Sequence, residues 1–157
     1  MLDENFNAFI IKETDGKFNG TIEKKPFNKL PENEVLIKVS YSSLNYKDAL
    51  SSTGHKGVTK KYPHTPGIDA AGIVISSKSK YHLVGERVIV TGYDLGMNTP
   101  GGFAEYISVP ADWIVKLPEN LTLKESMILG TAGFTAALAL DKLQQFGLKS
   151  PEDAILV

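Results

Sequence analysis

The chain has 157 residues, enough for one domain or for one domain plus part of another. Its 42% hydrophobic and 22% charged residues are those of an ordinary globular protein able to bury a core. A net charge of -1, no cysteines and no apolar run near the ~18 residues of a membrane span argue against nucleic-acid or membrane partners, disulfides and thiolate zinc sites, and suit a cytoplasmic protein.

In chain order, Asn7–Ile11 predicts a strand. Asp15-Gly16-Lys17 predicts a turn into a second strand, Phe18–Glu23. Val35–Tyr41 is rich in β-branched residues and alternates, which marks a strong strand. After Asn45-Tyr46-Lys47-Asp48, where the two polar ends suit a turn or a cap, a short helix is expected at Ala49–Ser51. Gly67–Ser76, Gly85–Thr91 and Gly102–Val109 supply three more strands between Gly and Pro turns. Strands at this spacing predict a small antiparallel barrel or sandwich.

At Thr122 the period changes. Thr122-Leu123-Lys124-Glu125 is a capping box, apolar residues follow at helical spacing through Leu143 and Phe146, and Gly147 is a natural stop. Gly130-Thr131-Ala132-Gly133 interrupts that pattern. Asp153–Val157 then predicts the first residues of a buried, parallel-type strand that needs neighbours on both sides. The expected fold class is mostly β with flanking helices (α+β). A barrel domain over 1–121 is followed over 122–157 by the first helix and strand of a nucleotide-binding α/β domain, cut off as it begins.

Four motifs in this order carry a resemblance: Ser43-Leu44-Asn45-Tyr46-Lys47-Asp48, Pro66-Gly67-Ile68-Asp69-Ala70-Ala71-Gly72, Gly102-Phe103-Ala104-Glu105-Tyr106, and Gly130-Thr131-Ala132-Gly133-Phe134-Thr135-Ala136. Together they resemble the N-terminal GroES-like catalytic domain of the medium-chain dehydrogenase/reductase superfamily. Within it they are similar to the zinc-independent quinone oxidoreductase branch that includes acryloyl-CoA reductases. Zinc-dependent relatives carry a cysteine at the place of Asn45 and a Gly-His-Glu at Gly67-Ile68-Asp69, and neither ligand set exists here. The resemblance implies a zinc-free, NADPH-dependent reductase of quinones or enoyl thioesters. It also implies a homodimer at full length, and a glycine-rich phosphate loop beyond Val157 without which the chain alone is not expected to turn over.

Hydride delivery to the β-carbon of an enone or enoyl thioester builds negative charge on the carbonyl oxygen. A donor aimed there lowers the barrier, and an acid can later protonate the α-carbon. Tyr46 keeps its O–H at neutral pH because a phenol titrates near ~10, and Asn45 offers amide N–H groups to substrate or nicotinamide. With the resemblance these two are the expected catalytic residues, and Asn45, Asp48, Thr131 and Thr135 the expected cofactor contacts. From bare residues, Asn45 and Asp48 read equally as caps of a turn, and Thr131 and Thr135, four apart on one helix face, as a cap and a half-buried neighbour. Asp69 reads as a loop tie by backbone hydrogen bonds, since a lone carboxylate holds no metal. Arg87 is expected to pair with a carboxylate, Trp113 and Tyr106 to be core or interface aromatics, and Lys56–Lys61 to be a solvated basic loop. The rival reading is a non-catalytic GroES-like binding module.

Overall fold

The computed structural model describes residues 4–147. The strand expected at Asp153–Val157 lies outside the described residues. The elements are β1 (Asn5–Thr14), β2 (Lys17–Pro26), β3 (Val35–Ser42), α1 (Tyr46–Ser52), β4 (Asp69–Ser77), β5 (Arg87–Thr91), β6 (Tyr106–Val109), β7 (Ile114–Lys116) and α2 (Leu123–Gln145). Strands β1 and β2 form a hairpin in which Thr14 faces Lys17, so Asp15 and Gly16 alone make the turn. Both have positive φ, 51° and 74°, as the type I′ form of a two-residue hairpin loop requires.

The other five strands form one sheet in the order β6-β3-β4-β5-β7, every pair antiparallel. Buried residues alternate at Val35 and Ile37 on β3 and at Val88 and Val90 on β5, and with Ile107 and Val109 of β6, Val74 of β4 and Leu95 they make the core. Period-two burial is what a half-buried strand gives. Strand β7 is not among the expected strands. It is three residues long, too short to show alternation, and it forms because Val88–Val90 present a free edge to Ile114–Lys116.

Helix α2 packs against β3, β4 and β5. Thr122 caps it as expected, its Oγ1 accepting from the Glu125 N–H at 3.2 Å while the Glu125 carboxylate accepts from the Thr122 N–H at 2.8 Å. Gly130 breaks the helix in mid-course with φ 52° and ψ −163°. Ser126, Met127 and Gly130 are buried, whereas Phe134, Leu138, Leu140 and Leu143 beyond the kink leave apolar surface exposed. Arg87 departs from expectation: it is exposed and forms no ion pair among the described residues. The carboxylate beside it, Glu86, faces Lys116 at 3.9 Å and His82 at 3.6 Å.

Candidate active site

Strand β3 carries a register shift between Val39 and Tyr41, and just past it the chain turns into α1. A bulge of this kind re-aims the residues next to it. Asn45, extended at φ −130° and ψ 152°, caps the helix: its Oδ1 accepts from the Lys47 N–H at 3.1 Å, and the Asp48 carboxylate accepts from the Asn45 N–H at 2.7 Å. The helix starts at Tyr46, three residues earlier than expected, because this reciprocal cap satisfies the first free N–H groups. The Asn45 amide Nδ2 has no hydrogen-bond partner among the described residues. Tyr46 is 77% exposed and its hydroxyl is likewise free among them.

Asp48 turns the other way and is buried. Its Oδ1 accepts from the Gly67 N–H at 2.9 Å and the Ile68 N–H at 3.0 Å, so one carboxylate holds the start of α1 to the loop before β4. Asp69, equally buried, accepts the Thr131 N–H at 3.1 Å and the Thr131 Oγ1–H at 2.6 Å. The Thr131 N–H is free to do so because the Gly130 kink opens the helix there. Burial pushes both carboxyls above the ordinary aspartate range, the backbone N–H groups and Thr131 opposing it in part; their mutual repulsion raises Asp69 further. Asp69 is thus a tie, as expected, although to α2 rather than within its own loop.

Gly67 sits at φ 113°, and a Cβ there would lie 2.6 Å from the Gly102 nitrogen, so no other residue fits this crossing. His64 below it is buried and its Nε2–H donates to the Gly96 carbonyl at 2.9 Å; burial lowers its pKa, which keeps it neutral and structural. Lys56 pairs with Glu13 at 3.5 Å and lies over the Phe18 and Tyr62 rings. Among the described residues no group of three His, Asp or Glu is placed to hold a metal ion.

Two shared ties therefore bring Asn45, Asp48, Gly67–Asp69 and Thr131 into one contiguous site. Thr135, one turn on, donates its hydroxyl to the Thr131 carbonyl at 2.8 Å. Beside Thr131 and Thr135 opens a groove of about 670 Å³, walled by Leu129 and Phe134 of α2 and by Ile89, Tyr93, Trp113 and Val115. Sequence reasoning misses that wall as part of a site. Its only signals there are a lone tryptophan and a Gly92-Tyr93-Asp94 turn composition.

The family model described as the alcohol dehydrogenase GroES-like domain matches residues 31–119. A putative quinone oxidoreductase, YhfP of Bacillus subtilis, is 51% identical over 128 residues, covering 82% of this chain and 39% of that protein. A crystal structure of B. subtilis yhfP with NAD bound superimposes with a TM-score of 0.89 at 45% identity, over 96% of this chain and 45% of that one. The acrylyl-CoA reductase AcuI of Ruegeria pomeroyi is 40% identical over 154 residues, 97% of this chain and 47% of that protein. The yhdH oxidoreductase of Salmonella enterica, solved in complex with NADP, gives a TM-score of 0.88 at 40% identity, over 91% of this chain and 44% of that one. This chain thus spans less than half the length of these relatives. With the matched residues running from just before β3 to the end of the five-stranded sheet, the chain belongs to the alcohol dehydrogenase GroES-like domain family.

Proposed function

We propose that this chain is the substrate-side half of a zinc-independent reductase that uses NADPH to reduce quinones or activated C=C bonds such as those of enoyl thioesters. The observation that carries the reading is the exposed Tyr46, next in the chain to an Asn45 whose amide Nδ2 has no partner among the described residues, on a helix start fixed by Asp48. The likeness to a quinone oxidoreductase and an acrylyl-CoA reductase, and to an oxidoreductase solved with NADP, supports it.

Two free donors suit the groups that the reaction demands, and NADPH when bound supplies the hydride. Asn45, Thr131 and Thr135 are the residues that would meet its nicotinamide side. Tyr46 donates its O–H to the carbonyl oxygen as negative charge develops there, and is the acid placed to return a proton. Asp48 holds three backbone N–H groups, leaving about one acceptor position of a carboxylate's four for a ribose hydroxyl. Its main part is to fix Asn45. In this reading residues 1–121 are the catalytic domain and 122–157 open the nucleotide-binding one, consistent with the apolar surface that α2 leaves exposed past Gly130. The whole protein is a cytoplasmic homodimer that holds no metal.

The test is a chimera in which this chain replaces the matching part of the B. subtilis relative. It should oxidise NADPH with acryloyl-CoA or with 1,4-benzoquinone, and should contain no stoichiometric zinc by elemental analysis. A folded, NADPH-binding chimera that turns over neither acceptor would leave the binding-module reading in its place.

A further inference from the structure

The N-terminal hairpin carries a reactive pair that the proposed reductase chemistry does not use. Asn19-Gly20, within β2, is the chain's only asparagine followed by glycine. A glycine nitrogen reaches the neighbouring side-chain amide carbon most easily, because no Cβ stands in the way. Hydrogen bonding fixes where that nitrogen points. Gly20 faces Ile11 in the hairpin register. The Ile11 N–H donates to the His64 carbonyl at 2.7 Å, and the Ile11 carbonyl accepts from the His64 N–H at 2.9 Å, so both groups turn away from β2. In an antiparallel ladder this makes Ile11 and Gly20 a non-hydrogen-bonded pair, with the Gly20 N–H and C=O directed outward. Strand β2 has no neighbour on that side among the described residues, and the Gly20 N–H meets solvent.

Asn19 and Gly20 are both exposed, and the Asn19 amide has no hydrogen-bond partner among the described residues. The side chains of Asn7, Asn33, Asn45 and Asn98 are instead engaged with Glu105, Ser108, Lys47 and Lys60, and the residue after each carries a side chain. What restrains Asn19 is its backbone pair with Lys12. Beyond Ile11 the hairpin tip has only the pairs Lys12–Asn19, Glu13–Phe18 and Thr14–Lys17, with no third strand among the described residues. A ribbon of two strands is marginally stable, so the tip opens locally without unfolding the barrel. Its anchor is Phe18, whose ring packs on Tyr62 with centroids 4.9 Å apart.

We propose that Asn19 is a self-modification site, at which the Gly20 nitrogen displaces the side-chain amide and converts Asn19 into aspartate and its β-linked isomer. The Gly20 nitrogen loses its proton to base and attacks the Asn19 Cγ. A C–N bond forms, the Cγ–Nδ2 bond breaks, and Nδ2 leaves as ammonia, the Gly20 proton reaching it through solvent. Water then opens the cyclic imide at either carbonyl. Both products add a negative charge. The β-linked one also lengthens the β2 backbone by a methylene, which breaks the Lys12–Asn19 pair and the seat of Phe18 on Tyr62 and on Gly54 just past α1.

The chain is incubated in mildly alkaline buffer beside a synthetic peptide of residues 17–25, then digested, mapped by mass and labelled with an isoaspartyl methyltransferase. The peptide that holds Asn19 should show the amide-to-acid mass shift and take up label ahead of every other asparagine peptide, more slowly than the free peptide does. Asn19→Gln, at an exposed position, should abolish both signals. Phe18→Ala removes the anchor of the tip, and an aromatic contact of this kind corresponds to about two- to tenfold faster conversion. Asn19 left intact once the free peptide has converted overturns the proposal, as does earlier conversion of another asparagine. An unchanged rate in Phe18→Ala contradicts opening at the tip. Label without the mass shift overturns it too, since it would come from Asp15-Gly16, the chain's only Asp-Gly pair. No cofactor or substrate enters the incubation, so its outcome is independent of the reductase reading.

Discussion

Replacing Gly130 by alanine tests how the site is held together. At φ 52° and ψ −163° the backbone is in a combination open essentially to glycine, and any side chain there costs roughly 1–3 kcal/mol. The added Cβ would lie 2.8 Å from the Ser43 Oγ and 3.2 Å from Asp69 Oδ2. Turning Ser43 out of its rotamer adds about 1 kcal/mol. The alanine returns about 0.4–1 kcal/mol by restricting the unfolded chain. The balance is a loss of about 2.5 kcal/mol, or about 5–10 °C in Tm for a chain of this size. Because the kink is what frees the Thr131 N–H for Asp69, the loss should be local first. The assay is urea unfolding together with amide exchange followed residue by residue. Thr131 should exchange faster in Gly130→Ala, and Ser43→Gly in that background should recover about 1 kcal/mol. A variant within about 0.5 kcal/mol of the parent, with Thr131 protected as before, would show that the Gly130 kink does not hold Thr131 to Asp69.

Two further outcomes rest on burial. Ile37→Ala, in the centre of the sheet core, should cost about 2–5 kcal/mol, while Lys38→Ala next to it on the exposed face should cost under ~0.5 kcal/mol; similar losses at both would contradict the register of β3. Asp48 should titrate above the ordinary 3.8 by carboxyl-carbon NMR, burial being the main cause. Its folded-state pKa is raised, so the native state holds a proton that the unfolded state has released. Its contribution to stability is therefore fully present below 3.8 and is lost as pH rises through the folded value. Asp48→Asn should remove that part of the slope, and a midpoint at or below 3.8 would count against burial as the cause.

Much of the fold is legible in the sequence because its signals are local. The Asp15-Gly16 turn, the alternation at Val35–Ile37 and the Thr122–Glu125 capping box each depend on a few neighbouring residues. Strand β7 is not, since three residues show no period and its pairing with β5 is a tertiary event. The same divide runs through the site. Asn45, Tyr46, Thr131 and Thr135 stand out as chemistry-bearing residues, and the 62-residue separation of Asp69 from Thr131 shows why their joining does not. Asp48 looks like a free carboxylate in sequence, yet the fold turns it inward onto Gly67 and Ile68. The missing pair of Arg87 has a similar origin: Glu86 is its neighbour in sequence, but successive residues of an extended chain point to opposite faces, and Lys116 and His82 approach the carboxylate instead.

Whether Tyr46 donates to the developing oxyanion is decided by kcat of Tyr46→Phe in the chimera. The substrate is acryloyl-CoA, and the isotope effect with deuterated NADPH shows whether hydride transfer limits the rate. Loss of one oxyanion donor costs roughly 2.7–4 kcal/mol in established cases; with Asn45 next in the chain and water able to replace part of the bond, kcat should fall about tenfold or more, with NADPH affinity and Tm unchanged. Full kcat in Tyr46→Phe with the isotope effect expressed would contradict it and leave Tyr46 an exposed surface residue.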